Sequence, residues 1–391
     1  MRIGDFCKTN LYAYSEKEKW GEIHYLDTGN ITRGKVAEIQ TLVPGIDTIP
    51  SRARRKVQVN DIIYSTVRPN QRHYGIIKAH DPNMLVSTGF VVITVDTRIA
   101  DPDFIYYFLT QDDVVETLEA IGEQSTSAYP SIKPVDIENL EIELPPLEAQ
   151  KAAGAMLRQL DRKCAVNDEI NDNLQQQAYA YFLQLFIENA DPSWRVGTIA
   201  DLGTVVGGGT PSKAKPEYYT DDGIAWITPK DLSIDKSKFI AHGENDISEL
   251  GYRNSSATMM PAGTVLFSSR APIGYIAIAS NEVTTNQGFK SVVPHPEIGT
   301  PFVYYFLIHN LPLIESKASG STFKEVSGSV MKSVEAVIPD GNTIAKFNDF
   351  CRPVFEMQEK LEQQNRKLAA MRDSLLPRLL SGEIDVADIG I

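Results

Sequence analysis

The sequence predicts an α+β fold in which two similar domains are separated by two long antiparallel coiled-coil helices. The aromatic segment FIYYFL at residues 104–109 returns as FVYYFL at residues 302–307. Each copy is followed by a long polar stretch with heptad spacing and few glycines, which is typical of a coiled-coil helix. The chain has 391 residues, more than one hydrophobic core usually serves. Together these observations predict a duplicated domain.

The repeat extends beyond the aromatic segment. Asp101–Pro102 and Thr300–Pro301 each place a capping side chain before a proline at the first helical position. Further matching pairs are NDIIYSTVRP (60–69) with GTVLFSSRAP (263–272), STGFVVI (87–93) with NQGFKSVV (286–293), RIGDF (2–6) with RVGTI (195–199), Ser125–Thr126 with Ser321–Thr322, and the predicted strands IENLEIELP (137–145) and KSVEAVIP (332–339). A repeat of this length indicates a tandem duplication with a pseudo-two-fold axis, which also predicts that the two termini lie close together.

The two long helices follow the two domains. We expect a first domain at 1–144, a spacer helix at 145–188, a second domain at 189–338, and a C-terminal helix with its tail at 339–391. The spacer has no further proline after Pro146 and is predicted to begin there. In the C-terminal helix, which is predicted to begin at Thr343, Pro353 and Pro377 predict kinks or breaks.

Heptad spacing places one side of each helix in the seam between them. Asn171 and Asn365 fall at equivalent seam positions, where a buried amide fixes the register of two helices. A solvated helix face is the alternative, and it suits the flanking Gln175 and Gln363 better. The predicted seam residues are Leu157, Leu160, Asn171, Leu174, Leu361, Asn365, Leu368 and Leu375.

The composition and the motifs exclude several classes of protein. Cys7, Cys164 and Cys351 are too scattered for a disulfide framework, and the histidines show no ligand spacing, so no metal site is expected. The start MRIGDFCKTN has no apolar signal segment and no stretch approaches the length of a membrane span, which predicts a cytoplasmic protein without a membrane partner. Walker, HExxH, GxSxG and Asn-Pro-Pro-aromatic motifs are absent, so we expect no catalytic residue.

Two domains at the ends of a helix pair suggest that the protein spaces two binding events. A helix of about 40 residues spans roughly 60 Å at about 1.5 Å per residue. Double-stranded DNA presents equivalent major-groove faces about 34 Å apart. The predicted architecture therefore suits a split DNA site.

Six short segments form an ordered pattern along the chain: LPPLEAQ (144–150), GGGTPSKAKPEYY (207–219), GIAWITPKDL (223–232), SSRAPIGYIAI (268–278), TNQGF (285–289) and LLPRLLSGEI (375–384). Their order resembles that of specificity subunits of type I restriction–modification enzymes, and the resemblance covers essentially the whole chain. It implies two target-recognition domains that each read half of a bipartite DNA sequence. The first domain departs from the family pattern, because it lacks the GGTP opening and has YLDTGNITRG (25–34) and IPSRARRKV (49–57) instead.

The resemblance also implies partners. These are double-stranded DNA, two methyltransferase subunits that bind the helices, and restriction and translocase subunits. S-adenosylmethionine, ATP and Mg are implied for the partner subunits, and no cofactor is implied for this chain. A coiled-coil scaffold that binds only protein is the alternative function. A gel shift with and without the methyltransferase partner distinguishes the two functions, and turnover by the isolated chain would indicate an enzyme.

Because the net charge is −13, DNA contact requires locally clustered cations. A solvated basic surface is the alternative for each candidate. The candidates in the first domain are Arg52, Arg54, Arg55, Lys56, Arg68, Arg72 and Lys78. The candidates in the second domain are Gly208, Gly209, Thr210, Lys213, Lys215, Arg270, Gln287 and Lys324.

Three of the second-domain segments have specific expected roles. The glycine loop at 207–210 can bring backbone amides to a phosphate, with Thr210 capping a helix that begins at Pro211; an ordinary glycine turn is the alternative. Arg270 and Gln287 are the predicted base readers, because Arg pairs with guanine and Gln with adenine through two hydrogen bonds. Phosphate contact or a structural hydrogen bond is the alternative for either side chain.

Overall fold

The structure, a computed structural model, describes residues 1–79, 81–124, 130–320 and 324–384. The chain divides into two compact units, Met1–Cys164 with the chain from Lys367 onward, and Ala165–Arg366. Each unit therefore contains one domain and part of both long helices. The matched pairs at 125–126 and 321–322 and the tail beyond residue 384 lie outside the described residues, so the expected proximity of the termini stays a prediction.

The first unit is built on two four-stranded sheets. Its strands are β1 (Cys7–Thr9), β2 (Ile23–Leu26), β3 (Ile31–Thr32), β4 (Lys35–Val36), β5 (Gln40–Leu42), β6 (Ala53–Lys56), β7 (Ile62–Ser65), β8 (Tyr74–Ile76), β9 (Met84–Ser87) and β10 (Phe90–Val95). One sheet has the antiparallel order β1-β10-β7-β8, and the other has the order β5-β2-β9-β6 with a parallel pair, β2 and β9. The helices are α1 (Pro102–Thr110), α2 (Asp112–Glu123), α3 (Pro134–Glu138) and the long α4 (Leu147–Leu183).

The second unit repeats the first sheet and extends it. Its strands are β11 (Arg195–Thr198), β12 (Gly203–Gly207), β13 (Tyr219–Thr220), β14 (Trp226–Ile227), β15 (Phe239–Ile240), β16 (Asp246–Ile247), β17 (Val265–Ser269), β18 (Ile273–Ala279), β19 (Thr284–Thr285), β20 (Lys290–Pro294) and β21 (Glu335–Ile338). The order β12-β20-β17-β18 matches β1-β10-β7-β8, and β15 adds a parallel edge strand. The helices are α5 (Ile199–Leu202), α6 (Pro229–Ile234), α7 (Glu249–Arg253), α8 (Thr300–His309), α9 (Leu311–Ser316), α10 (Gly328–Ser333) and the long α11 (Gly341–Leu380). The shared strand order confirms the duplication.

The repeated aromatic segments form α1 and α8, and each packs in the core of its own unit. Phe104 and Tyr107 are buried in the first unit, and Phe302 and Tyr305 are buried in the second. Strands that are buried along nearly their whole length lie beneath them, as expected for a sheet covered by helices. The repeat was therefore visible because both copies need the same buried helix face.

The correspondence between the two N-terminal segments differs from the predicted one. Arg2 pairs with Glu141 as Thr198 pairs with Glu335. Asp5 accepts from the Arg2 amide at 2.8 Å, and Asp201 accepts from the Thr198 amide at 2.8 Å. RIGDF therefore corresponds to TIADL (198–202), and the proposed match with RVGTI is wrong.

The predicted strand at 137–145 is also wrong. Residues 137 and 138 end α3, and the segment keeps only the bridge from Glu141 to Arg2. The opposite segment turns into a short helix at Ile3, which leaves a single residue pair in place of the four in the second unit.

The long helices run nearly as predicted. α4 begins at Leu147, one residue after the predicted start, which is within the usual scatter of helix ends. α11 continues without a break through Pro353 and Pro377, so the predicted breaks are wrong. Proline costs roughly 3 kcal/mol inside a helix, and packing offsets this cost where Cys351 and Phe355 lie in the core of the second unit.

The two helices pack antiparallel within each unit. Asp161 meets Arg372 in the first unit, and Asn167 meets Asn365 in the second. Among the predicted seam residues, Leu157 and Leu361 are buried, and the others are half-buried. Gln175, which we expected on a solvated face, is half-buried and accepts a hydrogen bond from the Tyr305 hydroxyl at 3.0 Å, because the seam of the second unit contains a polar network.

Candidate nucleic-acid interface

Both domains contain the same tight turn between two of their strands, at Ser87–Gly89 and at Asn286–Gly288. The amide and the hydroxyl of Thr66 donate to the Gly89 carbonyl at 2.8 and 2.9 Å. The amide and the hydroxyl of Ser269 donate to the Gly288 carbonyl at 2.7 and 3.0 Å. We call these two segments the glycine turns. Their identical hydrogen bonds make them structurally equivalent positions of the two domains.

Two arginines lie against the glycine turn of the first domain. The Nη2 atom of Arg52 lies 2.9 Å from the position that a Cβ atom would occupy at Gly89, so its guanidinium lies directly against the turn. Arg55 donates to the Thr88 carbonyl at 3.4 Å, and burial lowers the pKa of its guanidinium. Arg68 is exposed and follows two residues after the threonine that holds the turn. Arg52 and Arg55 therefore meet at this turn, and Arg68 is an exposed cation close to it in the sequence.

The other four candidates of the first domain lie apart from this turn. Arg54 lines a cleft of about 430 Å³ together with Tyr14 and Trp20. The remaining three form ion pairs within the unit, Lys56 with Glu18, Arg72 with Asp112 at 2.7 Å, and Lys78 with Asp103 at 2.7 Å. These pairs give the three cations a structural role in the protein without DNA.

The glycine turn of the second domain lies in a polar cluster that we call the Glu325 cluster. The carboxylate of Glu325 lies 3.7 Å from Nη1 of Arg270 and 3.4 Å from Nζ of Lys290. Lys290 also donates to the Gln287 carbonyl at 3.3 Å, and the Thr210 hydroxyl donates to Oε1 of Gln287. Thr210, Arg270 and Gln287, separate in the sequence, are thus brought together.

Sequence reasoning missed two members of the Glu325 cluster. Lys290 follows Gln287 by three residues in TNQGFK. Because Gln287 was predicted to read a base, this spacing could have identified Lys290 as a candidate. Glu325 had no such signal, because it reaches the cluster only through a bridge between its backbone and that of Arg270. The equivalent bridge of the first domain joins Val67 to Ser131, so the first domain lacks this ion pair.

The glycine loop of the second domain packs closely on its own chain. A Cβ atom at Gly208 would clash with the Asn286 carbonyl, and one at Gly209 would clash with the Ala257 amide. The Gly209 amide donates to the Thr285 carbonyl at 2.8 Å, so it is engaged within the protein. Residues 208–212 are not helical, so the helix predicted after Thr210 is absent, because the Thr210 hydroxyl bonds to Gln287 instead.

The remaining candidate lysines of the second domain lie on exposed loops. Lys213 and Lys324 are exposed, and Lys324 directly precedes Glu325. Lys215 is exposed as well and donates to the Tyr218 hydroxyl at 3.0 Å. Within the part of the chain that the structure describes, no three His, Cys, Asp or Glu side chains are grouped as a metal ion would require, and no helix is long and apolar enough to cross a membrane.

The sequence matches a known protein family. The family profile for the type I restriction modification DNA specificity domain matches residues 1–176 and again residues 192–364. The chain is 24% identical over 458 aligned positions to the HindI specificity subunit of Haemophilus influenzae, with 98% of each chain covered. It is 37% identical over 189 residues to the MjaIX specificity subunit of Methanocaldococcus jannaschii, with 48% of this chain and 44% of that protein covered.

A solved structure shows the same fold. The S subunit of a type I restriction–modification system from M. genitalium aligns with a TM-score of 0.57 at 16% identity, covering 97% of this chain and 95% of that one. Two successive matches to the family profile, on two domains with the same sheet order, account for most of the sequence. This chain belongs to the type I restriction–modification DNA specificity family.

Proposed function

We propose that this chain is a non-catalytic specificity subunit in which each domain reads one half of a bipartite DNA target. The observation that carries the proposal is the pair of equivalent glycine turns, each surrounded by residues suited to DNA contact. A duplicated site on duplicated domains suits two half-sites separated by a fixed spacer.

The side chains that contact DNA differ between the two glycine turns. In the first domain, Arg52, Arg55 and Arg68 supply the cations. In the second domain, Arg270 and Gln287 read base edges, because both side chains can form the paired hydrogen bonds that distinguish guanine and adenine. Glu325 holds the guanidinium of Arg270 in place until DNA replaces it as the partner.

The long helices bind the other subunits. Exposed apolar side chains on both helices, among them Ile170, Met357 and Met371, offer contact surface for methyltransferase subunits. Catalysis, together with S-adenosylmethionine, ATP and Mg, belongs to the methyltransferase, restriction and translocase subunits. A scaffold that binds only protein is the second candidate, favoured by these same exposed positions.

The test uses the complex of this chain with its methyltransferase subunits and the DNA motif found by methylome sequencing. Arg270→Ala and Gln287→Ala are expected to relax discrimination at one half-site by about 1–3 kcal/mol per base pair. Arg253→Ala is the matched control, because Arg253 is an exposed cation of the same domain that pairs with Glu249. The proposal fails if the variants and the control behave alike.

The same assay separates the alternatives. Sequence-specific binding by the complex supports the proposed function. A complex that assembles but binds all sequences equally indicates the scaffold. Methyl transfer by the isolated chain would indicate an enzyme.

A further inference from the structure

Lys238, immediately before β15, is a buried lysine with 7% of its surface exposed. Its Nζ atom donates to Oε1 of Gln358 at 2.8 Å, to Oε1 of Gln175 at 3.0 Å and to the Tyr305 hydroxyl at 3.3 Å. Gln175 belongs to α4, Gln358 to α11 and Tyr305 to α8. Within the second unit, one side chain of the recognition domain thus joins both long helices and the aromatic helix.

Aromatic rings enclose the same ammonium group. Its Nζ atom lies 3.5 Å from the ring centroid of Phe355, 4.4 Å from that of Tyr304 and 5.0 Å from that of Tyr305. A cation is attracted to the face of an aromatic ring, and the attraction is strongest where water is excluded. The rings and the three acceptors together define one position for the ammonium group.

The backbone at this point is also held by α11. The amides of Lys238 and Phe239 donate to Oε1 and Oε2 of Glu362 at 2.8 and 3.0 Å. Glu362 is buried as well, so its carboxylate is satisfied mainly by these two amides and by Asn171. The segment that contains Lys238 therefore has a defined angle to the helix.

Stability alone does not explain a cation at this place. Removing an ammonium group from water costs several kcal/mol, and an apolar side chain of similar length would pack among the same rings without that cost. What the cation adds is direction, because hydrogen bonds have preferred angles and apolar contacts do not. We infer that the group is used for orientation.

In the first unit, different residues join the aromatic helix to the long helices. Tyr107 corresponds to Tyr305 in the repeated aromatic segment, and its hydroxyl donates to Asp161 at 2.7 Å. Arg372 donates to the same carboxylate at 2.7 Å. There the long helices supply both the cation and its acceptor, whereas in the second unit the recognition domain supplies the cation.

We propose that Lys238 is a positioning residue that fixes the angle of the second recognition domain on the two helices, and thereby the spacer length that the complex accepts. This proposal rests on the proposed function. The side-chain hydrogen bonds of Lys238 go to α4, α8 and α11, so its loss is expected to leave recognition of the second half-site intact.

The experiment compares Lys238→Met with Lys236→Met in the complex with methyltransferase subunits. Lys236 is an exposed lysine two residues earlier and serves as the matched control. Binding is measured on duplexes with both half-sites at the native spacer, on duplexes with the spacer one base pair shorter or longer, and on a duplex with the second half-site alone. Lys238→Met is expected to reduce the preference for the native spacer about ten-fold, equivalent to about 1.4 kcal/mol, while half-site binding and the control stay unchanged.

Other results would overturn the proposal. An unchanged spacer preference excludes a positioning role, and an equal loss on every duplex shows a structural role only. If Lys238→Met does not fold, Gln175→Ala, which removes one of the three acceptors, is decisive in the same assay. If the wild-type complex binds no bipartite target, the proposed function is wrong and this proposal falls with it. If the wild type binds the target but Lys238→Met leaves its spacer preference unchanged, only this proposal is wrong.

Discussion

Asn167 donates from Nδ2 to Oδ1 of Asn365 at 2.8 Å, across the two long helices of the second unit. Asn365 donates in turn to Asp168 at 2.6 Å, and Asn167 is fully buried. One turn away, Asn171 donates to Glu362 at 3.3 Å. Two polar layers therefore cross this part of the helix pair and restrict its register.

Asn365→Leu is expected to destabilise the protein by about 1–3 kcal/mol, because it leaves the buried Asn167 amide and the Asp168 carboxylate with one partner fewer. Gln363→Leu is the control, since Gln363 is exposed on the same helix and its replacement should change the free energy of unfolding by less than about 0.5 kcal/mol. Urea unfolding of both variants measures the difference. Equal effects would contradict a register role for Asn365.

Lengthening both helices is expected to lengthen the DNA spacer. Four residues inserted after Cys164 and again after Arg366, where the chain passes between its two units, keep every hydrogen bond within each unit. The insertion adds about 6 Å, close to two base pairs of about 3.4 Å each. Methylome sequencing should show unchanged half-sites and a spacer longer by about one or two base pairs.

A second variant with the insertions at other positions serves as the control. Positions related by the repeat, such as Gln176 and Ala370, lie in different units, so insertions there would shift Asn167 away from Asn365. That variant should be less stable than the first. If the first variant keeps the original spacer length, the long helices do not set that length.

Exchange of the second domain should change half of the motif. Replacing residues 189–338 with another recognition domain keeps Gln175, Gln358 and Glu362, which belong to the helices. The methylated motif is expected to change in one half and to keep the other, because each domain has its own core and its own glycine turn. A motif altered in both halves would argue against separate reading by the two domains.

The three thiols should differ in reactivity. Burial raises the pKa of Cys7 and of Cys351 to about 12, so almost no thiolate exists at neutral pH. Cys164 is half-buried. With Ellman's reagent, the native protein should therefore react first at Cys164, and the other two thiols should react only on unfolding. Rapid labelling of Cys351 in the native protein would contradict its burial.

The stability of the protein should depend on Lys238 in a pH-dependent way. Burial lowers the pKa of Lys238 well below that of a free lysine, so the unfolded chain binds the proton more tightly. Below the pKa of unfolded lysine, about 10.4, the wild type therefore loses stability as the pH falls towards the folded pKa. Lys238→Met lacks this loss. The raised pKa of Cys351 also makes stability depend on pH, but both proteins contain this thiol, so its contribution enters both curves. As the pH is lowered from about 10, the variant should therefore gain stability relative to the wild type, as measured by urea unfolding; a difference that stays constant with pH would contradict the shift.

Much of the fold was predictable because its signals are local. The aromatic segments of α1 and α8, the turns STGF and NQGF, and the long helices repeat along the chain, and each needs only its own periodicity to be recognised. The predictions that failed concerned segments in which tertiary packing outweighed the local sequence preference. The segment 137–145 was alternating yet found only one paired residue, and α11 continued through two prolines because packing outweighed their cost.

The sequence by itself determined the duplication, the two α+β domains, the pair of long helices and the family, since repeated segments and hydrophobic spacing survive without any contact between distant residues. Only the tertiary structure decided which polar groups meet. Glu325 reaches Arg270 and Lys290 through a bridge of the backbone, and Lys238 reaches acceptors on both long helices from a loop far from each in the sequence. Such contacts depend on how separate elements pack. The sequence around one side chain of such a contact therefore does not indicate which side chain it will meet.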